Sequence, residues 1–186
     1  MKIKIKIKIL LLLSLIIFVA CNDDNYEKDS VLESQGFRVL DREKRDLLNP
    51  ELKLENSIDF NKIKLYFLIK GQKIEVRDYW KNSRPDVILD NPDGLGISAI
   101  DKDGEKKYIL GVSLNYEPTD NDIAYTFIEW NQHEWDMDTI QSQVSRRGSV
   151  FESIMVMFND SVWNRPNNPV PPNEWTLLDQ SFTIIK

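Results

Sequence analysis

The chain has 186 residues, 41% of them hydrophobic, with 24 Lys and Arg against 30 Asp and Glu, a net charge of −6, one Cys and one His. An acidic chain without a basic stripe repels nucleic-acid phosphates, which excludes DNA and RNA as partners. One Cys and one His exclude a disulfide framework, Cys-based zinc sites and catalytic zinc sites built on two or three histidines, and no cofactor motif is present.

Residues 1 to 8, MKIKIKIK, hold four lysines and no acid, and residues 9 to 20, ILLLLSLIIFVA, hold one polar residue, Ser14. This is the basic-then-apolar pattern of a signal peptide over 1–20. A spanning helix needs about 20 apolar residues, and this core stops short of that before Ala20, Cys21 and the acids Asp23 and Asp24. The strict Lys-Ile alternation also has the period of a strand, a reading outweighed by the leucine core that follows. Phe18-Val19-Ala20-Cys21 resembles the lipobox of bacterial lipoproteins, with Phe18 in place of the usual aliphatic residue. The resemblance implies cleavage before Cys21 and acylation of Cys21, so that the membrane is held through lipid, at about 0.8 kcal/mol per buried methylene. The alternative is an ordinary signal with an incidental cysteine. Asn22 to Glu27, NDDNYE, resembles the acidic export signal of lipoproteins displayed at the cell surface, which implies an outer-membrane, surface-facing location over a periplasm-facing one. Read from composition alone, residues 21–35 form a flexible acidic tether.

Without residues 1–20, which carry four Lys and no acid, the net charge deepens from −6 to −10. Residues 36–186 have the length of one domain, and the five Trp, five Tyr and seven Phe within them, of the chain's five, six and eight, supply the burial for a core without disulfides.

Leu40, Leu47 and Leu48 at i, i+7 and i+8, with Asp41 ahead and Asn49-Pro50 behind, predict a short helix, or else an extended charged loop. IKLYFLI (63–69), a turn at Gly71-Gln72 and KIEVRDY (73–79) predict a hairpin. Shorter strands are expected over 86–89 and 97–100, parted by the NPDGLG loop, and Asp103-Gly104 should close a second hairpin into KYILGVSLNY (107–116). IAYTFIEW (123–130), Thr139–Ser145, a turn at 147–149 and Val150–Phe158 follow; Asn159-Asp160-Ser161 turns into Val162-Trp163. NRPNNPVPPNEW then reads as a rigid proline loop before a last strand over Phe182–Ile185. About nine strands with frequent turns predict an all-β antiparallel sandwich, with an immunoglobulin-like arrangement open to it and at most one short helix.

DLLNP (46–50), IKLYFLIKGQK (63–73) and IEWNQHEWDMDTI (128–140) resemble segments of small uncharacterised β-rich surface lipoproteins that share the acidic tether. The resemblance implies the architecture and brings no activity with it.

His133, in EWNQHEWDMD, lacks a serine in a nucleophile context and reads as a polar loop residue. Glu129, Glu134, Asp136 and Asp138 are the densest acids; two of them facing each other across a cleft would suit glycosidic hydrolysis, whereas solvated surface is the plain alternative. Asp101-Lys102-Asp103-Gly104 begins like a calcium loop, but Lys106 and Lys107 stand where oxygen ligands are needed, so it reads as a turn. Trp130 and Trp135 bracket NQHE, and Trp163 and Trp175 bracket the proline loop. Buried, these rings are core; exposed, they would stack on a sugar while Asn and Asp bond its hydroxyls. The sequence therefore leads to a non-enzymatic, lipid-anchored surface lipoprotein acting as a binding or accessory module for a glycan or partner protein. A small carboxylate hydrolase and a structural envelope component are the alternatives.

Overall fold

Ten strands and one α-helix stand among residues 34–86, 89–130, 137–147, 150–162 and 181–186, the residues that the computed structural model describes. The strands form two sheets, one of four in the order β10-β1-β5-β4 and one of six in the order β3-β2-β6-β7-β8-β9. The smaller holds β1 (Ser34–Leu40), β4 (Leu95–Lys102), β5 (Glu105–Ser113) and β10 (Phe182–Ile185). The larger holds β2 (Lys64–Ile69), β3 (Gln72–Glu75), β6 (Ile123–Glu129), β7 (Asp138–Arg147), β8 (Val150–Phe158) and β9 (Ser161–Val162). The expected all-β sandwich is the observed fold, with one departure: β1 and β10 pair in parallel. Strands β6 to β9 run as an up-and-down meander, a connectivity that strand count alone does not specify.

Alternation explains the layering. Side chains of a strand point to opposite faces in turn, and along β6 Ala124, Thr126 and Ile128 are buried while Ile123, Tyr125, Phe127 and Glu129 are half-buried. The inward set packs against the smaller sheet in one apolar cluster that includes Phe37, Val39, Leu110 and Val112 opposite Leu65, Phe67, Ile128, Ile140 and Phe158. Phe37, Phe158 and Phe182 join the layers, with ring centroids 5.5 to 6.0 Å apart.

Turn chemistry fixes the hairpin registers. Lys70-Gly71, Asp103-Gly104 and Asn159-Asp160 each place two residues at positive φ between paired strands, the geometry of a two-residue type I′ turn. The first lies one residue earlier than Gly71-Gln72, and the last does not need Ser161, which already belongs to β9.

Three expected elements take another form. KIEVRDY is strand only to Glu75; α1 (Val76–Ser83) follows, because Val76, Tyr79 and Trp80 recur at helical spacing and all three are buried. Asp78 in its first turn and Lys81 in its last suit the helix dipole, and Pro85 bars continuation. The segment after β1 is a chain of turns with no helix. Lys44 and Lys53 sit at positive φ, and Leu47 is tied by backbone bonds to Val39 (2.9 Å) and Ile58 (2.9 Å), so Leu47 and Leu48 reach the core from a loop. At 86–89, Asp86 lies in a turn and Leu89 outside any strand, while 87 and 88 are outside the described residues.

The NPDGLG loop packs tightly under α1. Gly94 has φ +68, and a Cβ there would meet Val76 at 2.9 Å and Leu65 at 3.2 Å, so the position requires glycine. Asp93 beside it accepts two bonds from Arg77 of α1, at 2.6 and 2.8 Å.

Candidate functional site

The two faces of the larger sheet separate the residues that the sequence grouped together. Trp130 follows β6 on the inner face and is 1% exposed, so it is a core side chain and not an open stacking platform. Its Nε1 donates to Asp138 Oδ2 at 2.6 Å; Asp138, 4% exposed, also accepts from Asn159 Nδ2 at 2.8 Å and forms an ion pair with Lys186. Lys186 lies 5.4 Å from the Trp130 ring centre, and its backbone N–H bonds Leu40 O of the other sheet at 2.9 Å. A buried carboxylate met by a ring N–H, an amide and an ammonium is satisfied, and here it ties the two sheets together.

Glu129 points the other way, because its strand neighbour Ile128, not Glu129, is the residue opposite Asp138. Glu129 and Asp138 therefore cannot share a cleft. His133, Glu134, Trp135 and Asp136, together with Cys21, Trp163 and Trp175, lie outside the described residues. Among the described residues no cluster of three His, Cys, Asp or Glu side chains is placed to hold a metal ion, and no helix is long and apolar enough to cross a membrane.

The outer face of the same sheet carries a second aromatic group. Cross-strand register sets Glu75, Tyr66, Phe127 and Thr139 in one row, and Tyr125, Gln141 and Met157 in the next. All seven are half-buried. Tyr66 donates its hydroxyl to Glu129 Oε2 at 2.6 Å; burial, and then the Glu129 carboxylate, push the phenol above its ordinary range, so it stays a protonated donor. Lys73, from edge strand β3, lies 5.1 Å from the Tyr66 ring centre and 5.8 Å from that of Phe127, and its Nζ is 3.2 Å from Met137 Sδ. A cation over rings at an exposed site is worth about 0.5–1 kcal/mol, a cover that a ligand can displace. Gln141 is steadied by its amide, which donates to Asp160 at 2.9 Å.

Aromatic faces alternating with amide, hydroxyl, carboxylate and ammonium groups form a surface that can stack on an apolar ring face and bond the hydroxyls around it. Sequence reading missed Tyr66, Tyr125 and Phe127 because the tryptophans drew attention to the loops. The signal lay in IAYTFIEW, whose odd and even positions are both apolar although only one face of the strand meets the core.

On the smaller sheet, a depression of about 640 Å³ is lined by Arg38, Lys44, Lys107 and Asp46 among others. Much of the charge around it is already paired, Lys106 with Glu51 at 2.9 Å and Lys107 with Glu105 at 3.6 Å, and Asp46 accepts backbone N–H groups from Leu48 and Tyr108.

No protein-family model, curated protein or solved structure matches the chain.

Proposed function

We propose that the protein is a non-enzymatic, lipid-anchored surface lipoprotein that binds a neutral glycan on the outer face of its larger sheet. The observation that carries the reading is the pair of rows Glu75-Tyr66-Phe127-Thr139 and Tyr125-Gln141-Met157, which interleave ring faces with hydrogen-bonding groups. The anchor rests on the lipobox-like FVAC and the acidic tether after Cys21, and display at the outer membrane follows from both. No observation favours the hydrolase: Glu129 and Asp138 project from opposite sides of one sheet.

Affinity electrophoresis against neutral polysaccharides tests the binding claim. Wild-type protein should be retarded by at least one of them, and Tyr66→Ala with Phe127→Ala should abolish the retardation without changing the circular dichroism. Equal migration of wild type in every gel would refute the reading. Cys21→Ser should move the protein from the membrane to the soluble fraction, and persistence in membranes would refute the anchor.

A further inference from the structure

The outer face does not end at Tyr125. Its next row is Ile123, Gln143 and Met155, and there the pairing of β7 with β8 slips by one: Gln143 pairs with Met155, but Val144 pairs with Ser153. Ile154 is the extra residue, a β-bulge, and it stands 57% exposed. Bulges re-aim side chains and concentrate beside functional sites. This one borders a groove of about 800 Å³, within the range of ligand pockets, lined by Tyr116, Glu117, Asp122, Gln143, Ser145 and Arg146 as well as Ile154.

The groove is held from behind. Glu117 accepts the Tyr79 hydroxyl through Oε1 at 2.6 Å and its backbone N–H bonds Asn115 Oδ1 at 3.0 Å, which leaves the second carboxylate oxygen for another donor. Trp80 backs Tyr116, with ring centroids 6.2 Å apart. Asn121 and Asp122 both adopt left-handed backbone, φ 70 and 58, which Asn and Asp tolerate better than other side chains, in a loop closed by two bonds from Thr119 to Ile123 O. Among the described residues Asp122, Gln143 and Ser145 have no hydrogen-bond partner for their side chains. The wall thus offers two carboxylates, an amide, a hydroxyl and a guanidinium around one aromatic ring, with an exposed aliphatic side chain at the rim. Two carboxylates against one guanidinium leave the wall a single negative charge, which gives an anionic ligand no hold, whereas the density of donors and acceptors suits a neutral ligand covered in hydroxyls.

We infer that this groove is a second subsite for the same glycan, one that receives a sugar unit beyond those lying on the Tyr66-Phe127 row. The inference rests on the carbohydrate reading. Four residue steps along β6 lead from Ile123 to Phe127, about 13 Å at ~3.3 Å per step, so a short oligosaccharide reaches one site and a longer one reaches both.

The test is calorimetric titration of the purified full chain with malto-, cello- and xylo-oligosaccharides of increasing length, from single sugars to hexasaccharides. Affinity should rise with length in at least one series. Ile154→Lys and Asp122→Asn, changes at exposed positions that keep the backbone geometry, should each weaken the longest oligosaccharide about tenfold and leave the shortest unchanged. Tyr66→Ala should weaken both. If the groove variants bind the longest oligosaccharide as tightly as wild type, the subsite is wrong and the outer-face reading survives. If wild type binds no member of any series, both fall together.

Discussion

Glu129 and Asp138 sit at the ends of neighbouring strands, offset by a single register step, and experience different surroundings. Asp138 is enclosed by Trp130, Asn159 and Lys186 on the face that meets the smaller sheet. Glu129 meets the Tyr66 hydroxyl on the face turned away from it. The contrast teaches that in a strand one residue decides between structure and recognition: the acid that looks suited to chemistry by its density of neighbours is a fastening between the sheets, and its neighbour belongs to the surface that can meet a ligand.

The contrast is most directly broken at Asp138. Asp138→Ala leaves Lys186 and the Trp130 N–H without their acceptor, and removing one partner of a buried ion pair costs about 3–5 kcal/mol. Glu129→Ala should cost less than about 1 kcal/mol, the range of exposed or half-exposed pairs. Urea denaturation compares them, and equal losses would erase the distinction between the faces.

A similar gap should separate the aromatic side chains. Phe67, which is 0% exposed and packs edge-on to Tyr79 and Trp80, should cost about 3–5 kcal/mol on truncation to Ala. Phe127→Ala should cost about 1 kcal/mol, since it loses cross-strand contacts and leaves no enclosed cavity.

Lys73→Ala sharpens the account of the outer face further. It removes a cover worth about 0.5–1 kcal/mol, so stability should barely move while the Tyr66 ring becomes more accessible to a quencher. Unchanged quenching of tyrosine emission would mean that Lys73 does not shield the rings.

The smallest effect concerns pH. Burial alone would raise the Asp41 carboxyl, but the Arg45 backbone N–H at 2.8 Å and guanidinium at 2.6 Å hold it below the usual carboxylate range. Its contribution is therefore present above the unfolded value near ~3.9 and is lost as pH falls through the lower folded value. Asp41→Asn should flatten that acid limb of the stability profile, and a profile identical to wild type would remove Asp41 from the account.

Most of the fold was legible where local chemistry is strong. Asp103-Gly104 dictates its turn, and the β-forming residues of 123–130 and the apolar residues at 150, 154, 156 and 158 dictate strands. Legibility failed where two periods fit the same letters: Ile74, Val76 and Asp78 keep a strand's period, while Val76, Tyr79 and Trp80 keep a helix's, and burial of three side chains decided for the helix. The leucines after Leu40 marked burial correctly and left helix and loop open, because a loop tied to β1 buries them as well as a helix does, and the loop is what forms. Parallel pairing of β1 with β10 depends on residues far apart in sequence, and no local signal carries it. The candidate site was half visible: Glu129 was named among the acids and lies on the outer face, but which side of β6 meets the core cannot be read from a strand that is apolar on both sides.

The central claim is that the outer face of the larger sheet is the recognition surface. Chemical-shift mapping of the purified protein against the oligosaccharide that it binds most tightly tests this most directly. The account predicts that the perturbed residues cluster at Tyr66, Lys73, Tyr125, Phe127 and Gln141, with Trp130 and Asp138 little affected. Perturbations confined to the smaller sheet around Arg38 and Lys107, with the Tyr66-Phe127 row silent, would contradict it.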